Sequence, residues 1–503
     1  MRKIVERYWT WGLSVLLGIG VFLFWYVAYP HALSYQEQYQ LFLWTGDYFR
    51  ERVSVPGGLA DWLGEFIVQF YYVEWLGALL LAVLFVVLQR ITGTVLRDAI
   101  FSENRIIRTV PVICSFIPPL LMLWLMGDPS VQLSLLMAIL LSLAAFRMMR
   151  QVPMWADVLT IPVLYWLAGP VAWLYVVLRI VRWSWKHLWS AGWMLAVQLL
   201  AYAFLLPQWP LQTVMAGQGY YRIPLHYPSL DGYDKDMYEL IREDYLVRYE
   251  RWDEIVARAR QYQVQTAFSS VCVNLALAQK RQLADRMFDF YQSGEDALVM
   301  PRIRDLTSML PSAEVFWHLG MVNAAQRYMF DTQESILNGR KSGRCTKRIA
   351  ECMIVNGHYQ TAAKQLDILK KSLFYRSWAK EAEALLYQDA KVDAHPVYGK
   401  LRRLRYKENY LFSYAEIDKM FGLLFMANQE NLMALDYFMG QMLLKGELQG
   451  YQQYMRWVQQ YRGYRVMPLG YQDVVRCIQK QGAVPGSPYA NYAKRKMAER
   501  RVE

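Results

Sequence analysis

Long apolar runs dominate the first 206 residues and constrain the fold more than any other feature of the sequence. A bilayer core about 30 Å thick is crossed by roughly 20 apolar helical residues, and the backbone within it must be helical or part of a closed barrel. Seven runs approach this requirement: residues 11–29, 75–88, 107–126, 131–146, 158–167, 171–181 and 189–206. We therefore predict a transmembrane helix bundle of about seven spans over residues 1–206.

The density of charged residues changes sharply after this point. Residues 1–206 contain 25 charged side chains, whereas residues 207–503 contain 73. Charged residues make up about a quarter of an average soluble domain, and the second part has that composition. The sequence thus predicts a membrane part followed by a soluble part.

Basic residues indicate the orientation of the bundle, because cytoplasmic ends of spans are enriched in Lys and Arg. Alternate ends of the runs carry Arg2, Lys3, Arg7, Arg90, Arg97, Arg105, Arg108, Arg147, Arg150, Arg179, Arg182 and Lys186. The opposite turns, 127–129 and 169–170, carry none. We expect a cytoplasmic N-terminus, and seven spans place everything after residue 207 outside the cytoplasm. The fifth and sixth runs are short and could instead form one tilted hairpin; an error of one span would reverse this placement.

Residues 30–74 form a long loop on the expected external side. Apolar side chains recur in it at helical spacing, first at Tyr35, Tyr39, Phe42 and Leu43 and then at Leu59, Leu63, Phe66, Ile67 and Phe70. Pro56-Gly57-Gly58 separates the two stretches. Two amphipathic helices lying along the membrane face fit this pattern. The alternative is that both helices only pack against the bundle.

Two short motifs in this loop, Gln36-Glu37-Gln38-Tyr39 and Pro56-Gly57-Gly58-Leu59, follow the first apolar run. Over about residues 10–90 the sequence resembles the GT-C type of integral-membrane glycosyltransferase, in which an acidic pair before a Tyr and a Pro-Pro-Leu segment follow the first span. The resemblance implies a lipid-linked sugar donor, and a loop carboxylate that serves as base for the acceptor or helps to hold a metal. That role maps only onto Glu37, because Gln36 stands in place of the first acid.

Glu37 is therefore the candidate catalytic residue, and Arg50 and Arg52 are the candidate substrate-binding residues. A carboxylate at the water–lipid boundary accepts a proton from a hydroxyl acceptor, while either arginine neutralises the donor phosphate. The alternative interpretation makes Glu37 an interfacial residue bonded to a Trp, Tyr or Arg side chain. Further acids in the loop are Asp47, Asp61, Glu65 and Glu74.

The soluble part is organised as a linker over residues 207–233, a helical domain over residues 234–480 and a basic tail over residues 481–503. Related helix–turn–helix patterns recur around four landmark alanines, Ala284, Ala325, Ala363 and Ala434. Their spacing resembles that of tetratricopeptide repeats, which are about 34 residues long. A stacked solenoid of this kind presents a concave surface to a protein partner, and a compact helical domain that only caps the membrane part is the alternative.

The sequence contains no recognisable metal, cofactor or nucleic-acid site. No Cys-x-x-Cys occurs among the five cysteines, and the six histidines are isolated. Acidic residues interleave with the basic ones, so the net charge of +12 does not form the basic face that nucleic-acid binding needs. We expect no cofactor and no nucleic-acid partner.

Two functional hypotheses follow for this all-α membrane protein. In the first, about seven spans hold a periplasmic tetratricopeptide-like domain that binds or scaffolds a protein partner. In the second, the chain is a GT-C-like glycosyltransferase that uses a polyprenyl-phosphate sugar. The layout is also similar to that of multi-pass membrane proteins of the Bacteroidota, for which the bilayer is a bacterial inner membrane and the external side is the periplasm.

Overall fold

The computed structural model describes residues 2–99, 105–183, 188–205, 211–216, 232–302, 307–336, 340–408, 413–460, 466–479 and 485–499. These residues form helices joined by turns and loops, with no strand among them, so the predicted all-α class is confirmed. Most of the predicted linker 207–233 and both ends of the predicted tail 481–503 lie outside the described residues.

The chain divides into two compact units that are not contiguous in sequence. The first, here called the membrane unit, comprises Met1–Tyr238, Ile336–Arg344 and Ile368–Ser377. The second, here called the helical unit, comprises Glu239–Ser335, Cys345–Asp367 and Trp378–Glu503. Two short segments from the second half of the sequence therefore belong to the membrane unit, which differs from the contiguous domains predicted above.

The described part of residues 2–216 contains twelve α-helices: α1 (Arg2–Leu23), α2 (Pro30–Gln38), α3 (Gly46–Val53), α4 (Gly58–Val68), α5 (Glu74–Ala99), α6 (Arg105–Cys114), α7 (Ile117–Met126), α8 (Leu133–Met149), α9 (Asp157–Ala168), α10 (Trp173–Trp183), α11 (Leu188–Leu200) and α12 (Leu211–Ala216). Turns of π-helix follow α1 (Phe24–Ala28) and α11 (Ala201–Leu205), and a 3-10 turn joins α9 to α10 (Gly169–Ala172).

Among the described residues, four helical segments are long and apolar enough to cross a membrane. They are Trp9–Ala28, Glu74–Arg97, Thr109–Met126 and Met154–Arg182, and the apolar helices Leu133–Met149 and Leu188–Phe204 are shorter. The membrane character of the first half is thus supported by length and composition. The number of about seven spans stays a prediction.

The longest of these segments, Met154–Arg182, reverses direction. The Nε of Arg179 in α10 lies 3.1 Å from the Oδ2 of Asp157 at the start of α9, and the hydroxyl of Tyr175 donates to the same carboxylate at 2.5 Å. One straight helix would separate Asp157 and Arg179 by about 33 Å. The chain turns at Gly169, whose φ of 65° is in the left-handed region, so α9 and α10 form a hairpin.

This hairpin lies beside only part of α8. At its open end, Arg179 donates to the Met149 carbonyl oxygen at 2.9 Å, and near its tip the Ser142 hydroxyl donates to the Val171 carbonyl oxygen at 3.2 Å. Ser142 and Met149 are about 10 Å apart along α8. The opposite end of α8 packs against α4 instead, where a Cβ on Gly64 would lie 2.8 Å from the Ser134 nitrogen.

Polar side chains join three of the candidate spans to one another. Ser14 of α1 donates to the Gln89 side chain of α5 at 2.7 Å, and Gln89 donates to Ser115, between α6 and α7, at 2.6 Å. All three side chains are buried. Since water cannot compete within a bilayer, such bonds fix the register of neighbouring helices.

The remaining helices are α13 (Lys235–Arg248), α14 (Trp252–Ala259), α15 (Ala267–Gln279), α16 (Leu283–Arg286), α17 (Met309–Leu319), α18 (Val322–Glu334), α19 (Gly343–Asn356), α20 (Tyr359–Lys370), α21 (Arg376–Glu383), α22 (Asp389–Ala394), α23 (Pro396–Leu404), α24 (Ile417–Ala427), α25 (Leu432–Lys445), α26 (Leu448–Gln460), α27 (Leu469–Gln479) and α28 (Pro488–Glu499). The described part of the predicted basic tail is thus helix α28, which packs against α27.

Helix–turn–helix units occur at each of the four positions where the sequence pattern recurs. Gly320 ends α17 with a φ of 84°, and Gly357, between α19 and α20, has a φ of 77°. The landmark residues Ala325 and Ala434 are fully buried, whereas in the third unit the buried residue is Ala362 rather than Ala363. The assignment of these units to a tetratricopeptide-like domain stays a prediction.

Candidate functional site

Helix α2 carries the sequence motif around Glu37, and it is buried along almost its whole length. Three consecutive side chains contact three different segments of the membrane unit. Gln36 donates to the carbonyl oxygens of Pro129 and Val131 at 3.2 and 3.1 Å. Successive helical residues project about 100° apart, so the polar residues of α2 connect segments on different sides of it.

Glu37 is only 4% exposed. Its Oε1 accepts a hydrogen bond from the Tyr375 hydroxyl at 2.8 Å, and Tyr375 belongs to the segment Ile368–Ser377. A Cβ on Gly343 would lie 2.5 Å from the Tyr375 ring, so only glycine leaves room for that ring. A tyrosine partner is what the interfacial interpretation of Glu37 expects.

The other inserted segment, Ile336–Arg344, also contacts the loop. Arg344 donates to the Gln38 side chain at 3.1 Å. Backbone hydrogen bonds add to these contacts, from Leu41 N to the Lys341 carbonyl oxygen at 2.9 Å and from Trp44 N to the Lys371 carbonyl oxygen at 2.8 Å. Both inserted segments are therefore held by main-chain as well as side-chain bonds.

A second group of polar residues, here called the carboxylate–arginine cluster, comprises Tyr48, Arg52, Asp61, Glu65 and Arg340. It forms because α3 and α4 fold back on each other at Gly57, which has a φ of 84°. Asp61 and Glu65 are four residues apart on α4 and so share one face of the helix. The reversal brings Arg52 of α3 next to Glu65.

The cluster is an ion-pair network with balanced formal charge. Arg340 bridges the two acids: its Nη2 contacts Asp61 and its Nε donates to Glu65 at 2.6 Å. Glu65 also accepts from Arg52 at 3.0 Å and from the Tyr48 hydroxyl, and Ser134 of α8 donates to Asp61 at 2.8 Å. The side chains of all four charged residues are at most 8% exposed.

Burial and the neighbouring charges shift the pKa values of the cluster. Burial raises the pKa of Asp61, against the opposing effect of Arg340. Burial and then the negative charge of Glu65 raise the pKa of Tyr48, which therefore stays protonated as a hydrogen-bond donor. Burial alone would lower the pKa of Arg52, but Glu65, together with Tyr48 and Asp61, more than offsets this effect and the pKa rises. Arg52 is thus a permanent cation.

The three candidate residues from the sequence have different surroundings. Glu37 and Arg52 are buried and bonded to Tyr375 and Glu65. The Arg50 side chain is 78% exposed and pairs at 3.1 Å with Asp47, whose side chain is 89% exposed. Arg50 and Arg52 project from different faces of α3, and each contacts its own carboxylate.

Sequence inspection missed Arg340 and Tyr375, which supply the partners of the loop acids. They lie 275 residues beyond Glu65 and 338 residues beyond Glu37 respectively. A signal was present in the sequence, since Arg340 and Lys341 lie just before α19 and Arg344 lies in its first turn. Over the described part of the chain, no group of three or more His, Cys, Asp or Glu side chains is placed to hold a metal ion.

The model of one protein family matches residues 7–501, which is almost the whole sequence, and its description is a family of unknown function, DUF6057. The chain belongs to this family. Comparison with curated proteins and with solved structures gave no match. Because the match runs through both units, the membrane unit and the helical unit of this DUF6057 chain are parts of one family architecture.

Proposed function

We propose that this chain is a multi-pass membrane scaffold that presents a helical-repeat unit to a protein partner. The proposal rests on the binding partners of the acidic residues in the loop. Glu37, Asp61 and Glu65 bind Tyr375 and Arg340, which lie on segments inserted from the second half of the sequence. The loop therefore holds two segments from the second half of the sequence within the membrane unit.

The same contacts argue against a sugar-transfer site at these residues. A general base must come within hydrogen-bond reach of the proton it removes, and a donor phosphate needs an accessible cation. Glu37 is 4% exposed, and the Arg52 side chain is 7% exposed and paired with Glu65. Of the two candidate arginines only Arg50 is accessible, with a side chain that is 78% exposed. Substrates would have to displace Tyr375 and Glu65 to reach Glu37 and Arg52.

The helix pairs of the helical unit support the proposal that this unit binds a protein partner. Consecutive helices pair in it, among them α14 with α15, α17 with α18 and α24 with α25. Stacked helix pairs of the tetratricopeptide type expose a concave face whose side chains are free to vary, and such faces commonly bind peptides or protein domains. We propose a protein partner for this unit.

The proposed orientation in the membrane follows from the helix ends that lie close to the start of α13. The ring of Tyr29, after α1, lies 5.2 Å from that of Tyr233 and 4.9 Å from that of Tyr238. Gly127, after α7, approaches the backbone of Tyr233. The chain thus enters α13 at the bundle end opposite Arg90 and Arg179. Under the positive-inside rule, the N-terminus is cytoplasmic and the helical unit is periplasmic.

The hairpin supports an odd number of spans. Helices α9 and α10 are about 18 and 16 Å long, too short to cross a core of about 30 Å unless they tilt or the bilayer thins. Whether the hairpin crosses twice or re-enters on one side, it adds an even number of crossings. If α1, α5, α6 with α7, α8 and α11 each cross once, the proposed total is odd, five or seven.

Cysteine labelling tests this orientation. In a Cys114→Ser background, Asp47→Cys should react with a membrane-impermeant maleimide in intact cells, because its side chain is 89% exposed on the external loop. Trp155→Cys and Arg182→Cys, one at each end of the hairpin segment, should react only after permeabilisation. Labelling of position 182 but not 155 in intact cells would contradict the hairpin and make the segment one span.

Complementation separates the scaffold from the GT-C-like glycosyltransferase that is its alternative. Glu37→Gln keeps an acceptor for the Tyr375 hydroxyl and removes the base. It should restore a deletion strain fully, whereas a truncation after residue 233 should restore nothing. Loss of a general base commonly lowers a rate by about 10²–10⁴-fold. Failure of Glu37→Gln at normal protein level would therefore overturn the scaffold proposal and favour the enzyme.

A further inference from the structure

A groove of about 570 Å³ lies in the helical unit, where the end of α25 meets α27 and α28. Its apolar walls include Leu443 of α25, Leu448 of α26, Ile478 of α27 and Met497 of α28. Met497 is 64% exposed, so the apolar wall reaches the surface of the unit. Sites for small molecules commonly have about 300–1,000 Å³ and combine apolar walls with a few polar groups.

Contacts of Tyr492 hold α28 as one wall of this groove. The Tyr492 hydroxyl donates to the Leu444 carbonyl oxygen at the end of α25 at 3.0 Å. Its ring lies 5.2 Å from that of Phe288, which adds an aromatic contact to the hydrogen bond. Ala490 and Ala493 of α28 also line the groove, and their small side chains leave the space between the walls open.

The charged side chains that line the groove are all cations. They are Lys445, Lys494 and Lys496, and no Asp or Glu lines it. Lys445 is paired with Asp418 at 2.9 Å, and Lys496 donates to the Leu444 carbonyl oxygen. Lys494 is exposed and has no hydrogen bond or ion pair within the described part of the chain. One ammonium group at the groove is therefore available to an anion.

The groove thus matches a ligand with one anionic group on an apolar body. The Lys ammonium is a compact point charge, whereas phosphate sites commonly use the Arg fork or a helix N-terminus. The helix end at this groove is the C-terminus of α25, at Lys445 and Gly446, and its partial negative charge disfavours a phosphate dianion. These features favour a carboxylate. An alkyl chain gains affinity with the apolar area that it buries, and a Met side chain adapts to its shape.

We propose that this groove binds a long-chain fatty acid, with its carboxylate at Lys494 and its alkyl chain against Leu443, Leu448, Ile478 and Met497. The inference rests on the geometry of the helical unit and not on the scaffold function. It therefore stands or falls separately from the complementation result.

Photoaffinity labelling of the purified full-length chain in amphipol tests the proposal. A palmitic acid analogue with a diazirine on its alkyl chain is irradiated with the protein, and mass spectrometry identifies the labelled peptides. Label is expected in peptides that cover residues 443–448 and 477–497. Palmitate should compete for this label. Hexadecanol has the same chain length without the charge and should compete about tenfold less well, as expected for loss of one charged hydrogen-bonding contact.

Lys494→Gln should reduce labelling of these peptides about tenfold at subsaturating probe. Lys380→Gln is the matched control, since it removes an exposed lysine of α21 that does not line the groove. Ala493→Phe fills the groove and should reduce labelling without changing any charge. Size-exclusion profiles show whether each variant stays folded, and the conservative Lys494→Gln keeps the test valid if Ala493→Phe aggregates.

Three results overturn the proposal. The first is equal labelling of the Lys494→Gln and Lys380→Gln proteins, and the second is equal competition by palmitate and hexadecanol. The third is label confined to peptides of the membrane unit. Disulfide cross-linking of Met497→Cys between two copies would also overturn it, because the groove would then belong to an interface with a second chain.

Discussion

Arg340→Met should lower the free energy of unfolding of the membrane unit by about 3–5 kcal/mol, the cost of removing one partner from a buried ion pair. Arg340 contacts both Asp61 and Glu65. Met fills a similar volume but donates no hydrogen bond, so Asp61 keeps only Ser134 as a donor among these contacts. Thermal unfolding of the purified chain in detergent measures the effect as a lower Tm.

Two further variants serve as controls for Arg340→Met. Arg340→Met combined with Asp61→Asn removes one charge of each sign, and Glu65 still has Arg52, so most of the lost stability should return. Arg50→Met removes an arginine whose side chain is 78% exposed and should change stability by less than about 0.5 kcal/mol. An Arg340→Met protein as stable as Arg50→Met would show that the cluster does not hold the inserted segment.

The class of fold could be predicted from the sequence because the features that determine it are local. Apolar runs and helical spacing are each properties of a few adjacent residues, and they predicted the helix–turn–helix pairs around Ala325 and Ala363. The same information left the number of spans open. Length and hydropathy do not distinguish one 29-residue span from a hairpin, although Gly169-Pro170 marked the place where the chain reverses.

The site could be predicted only in part, for a physical reason. Spacing along α4 places Asp61 and Glu65 on one face, but it carries no information about which distant residue neutralises them. Arg340 does so from 275 residues beyond Glu65. Glu37 was selected by resemblance to a motif, and the structure adds that its hydrogen-bond partner is Tyr375. Contacts between residues so far apart in the sequence depend on the packing of the whole membrane unit.

The second prediction with a large expected effect on stability concerns a buried acid in the helical unit. Glu243 of α13 is 3% exposed; its Oε1 accepts from the Ser269 hydroxyl at 2.7 Å, and its Oε2 has no hydrogen-bond partner in the described structure. Burial raises the pKa of Glu243 from 4.5 to about 8, and the charge of Glu239 adds to this effect. Ser269 and Arg258 oppose it.

The raised pKa of Glu243 makes stability fall as the pH rises. In the unfolded chain the carboxyl loses its proton near pH 4.5, but in the folded chain it keeps the proton until about pH 8. Between these values the unfolded state binds fewer protons, so each pH unit costs the folded state up to about 1.4 kcal/mol. The cost is complete above pH 8 and absent below about pH 4.

Glu243→Gln should therefore stabilise the helical unit, and more so at high pH. Gln resembles the protonated acid and still accepts from Ser269, but it carries no charge to bury. The gain should be about 4 kcal/mol at pH 8 and under about 1 kcal/mol at pH 5. The measurement is the Tm of the helical-unit transition at the two pH values.

Glu254→Gln on α14 is the control for this experiment, since its side chain is 51% exposed and paired with Arg251 at the surface. It should give a small Tm change that is nearly the same at both pH values. A Glu243→Gln protein that shows equal stabilisation at pH 5 and pH 8 would contradict titration of this carboxyl as the cause. A lower Tm at pH 8 would mean that the ionised acid is bound by a donor and stabilises the fold.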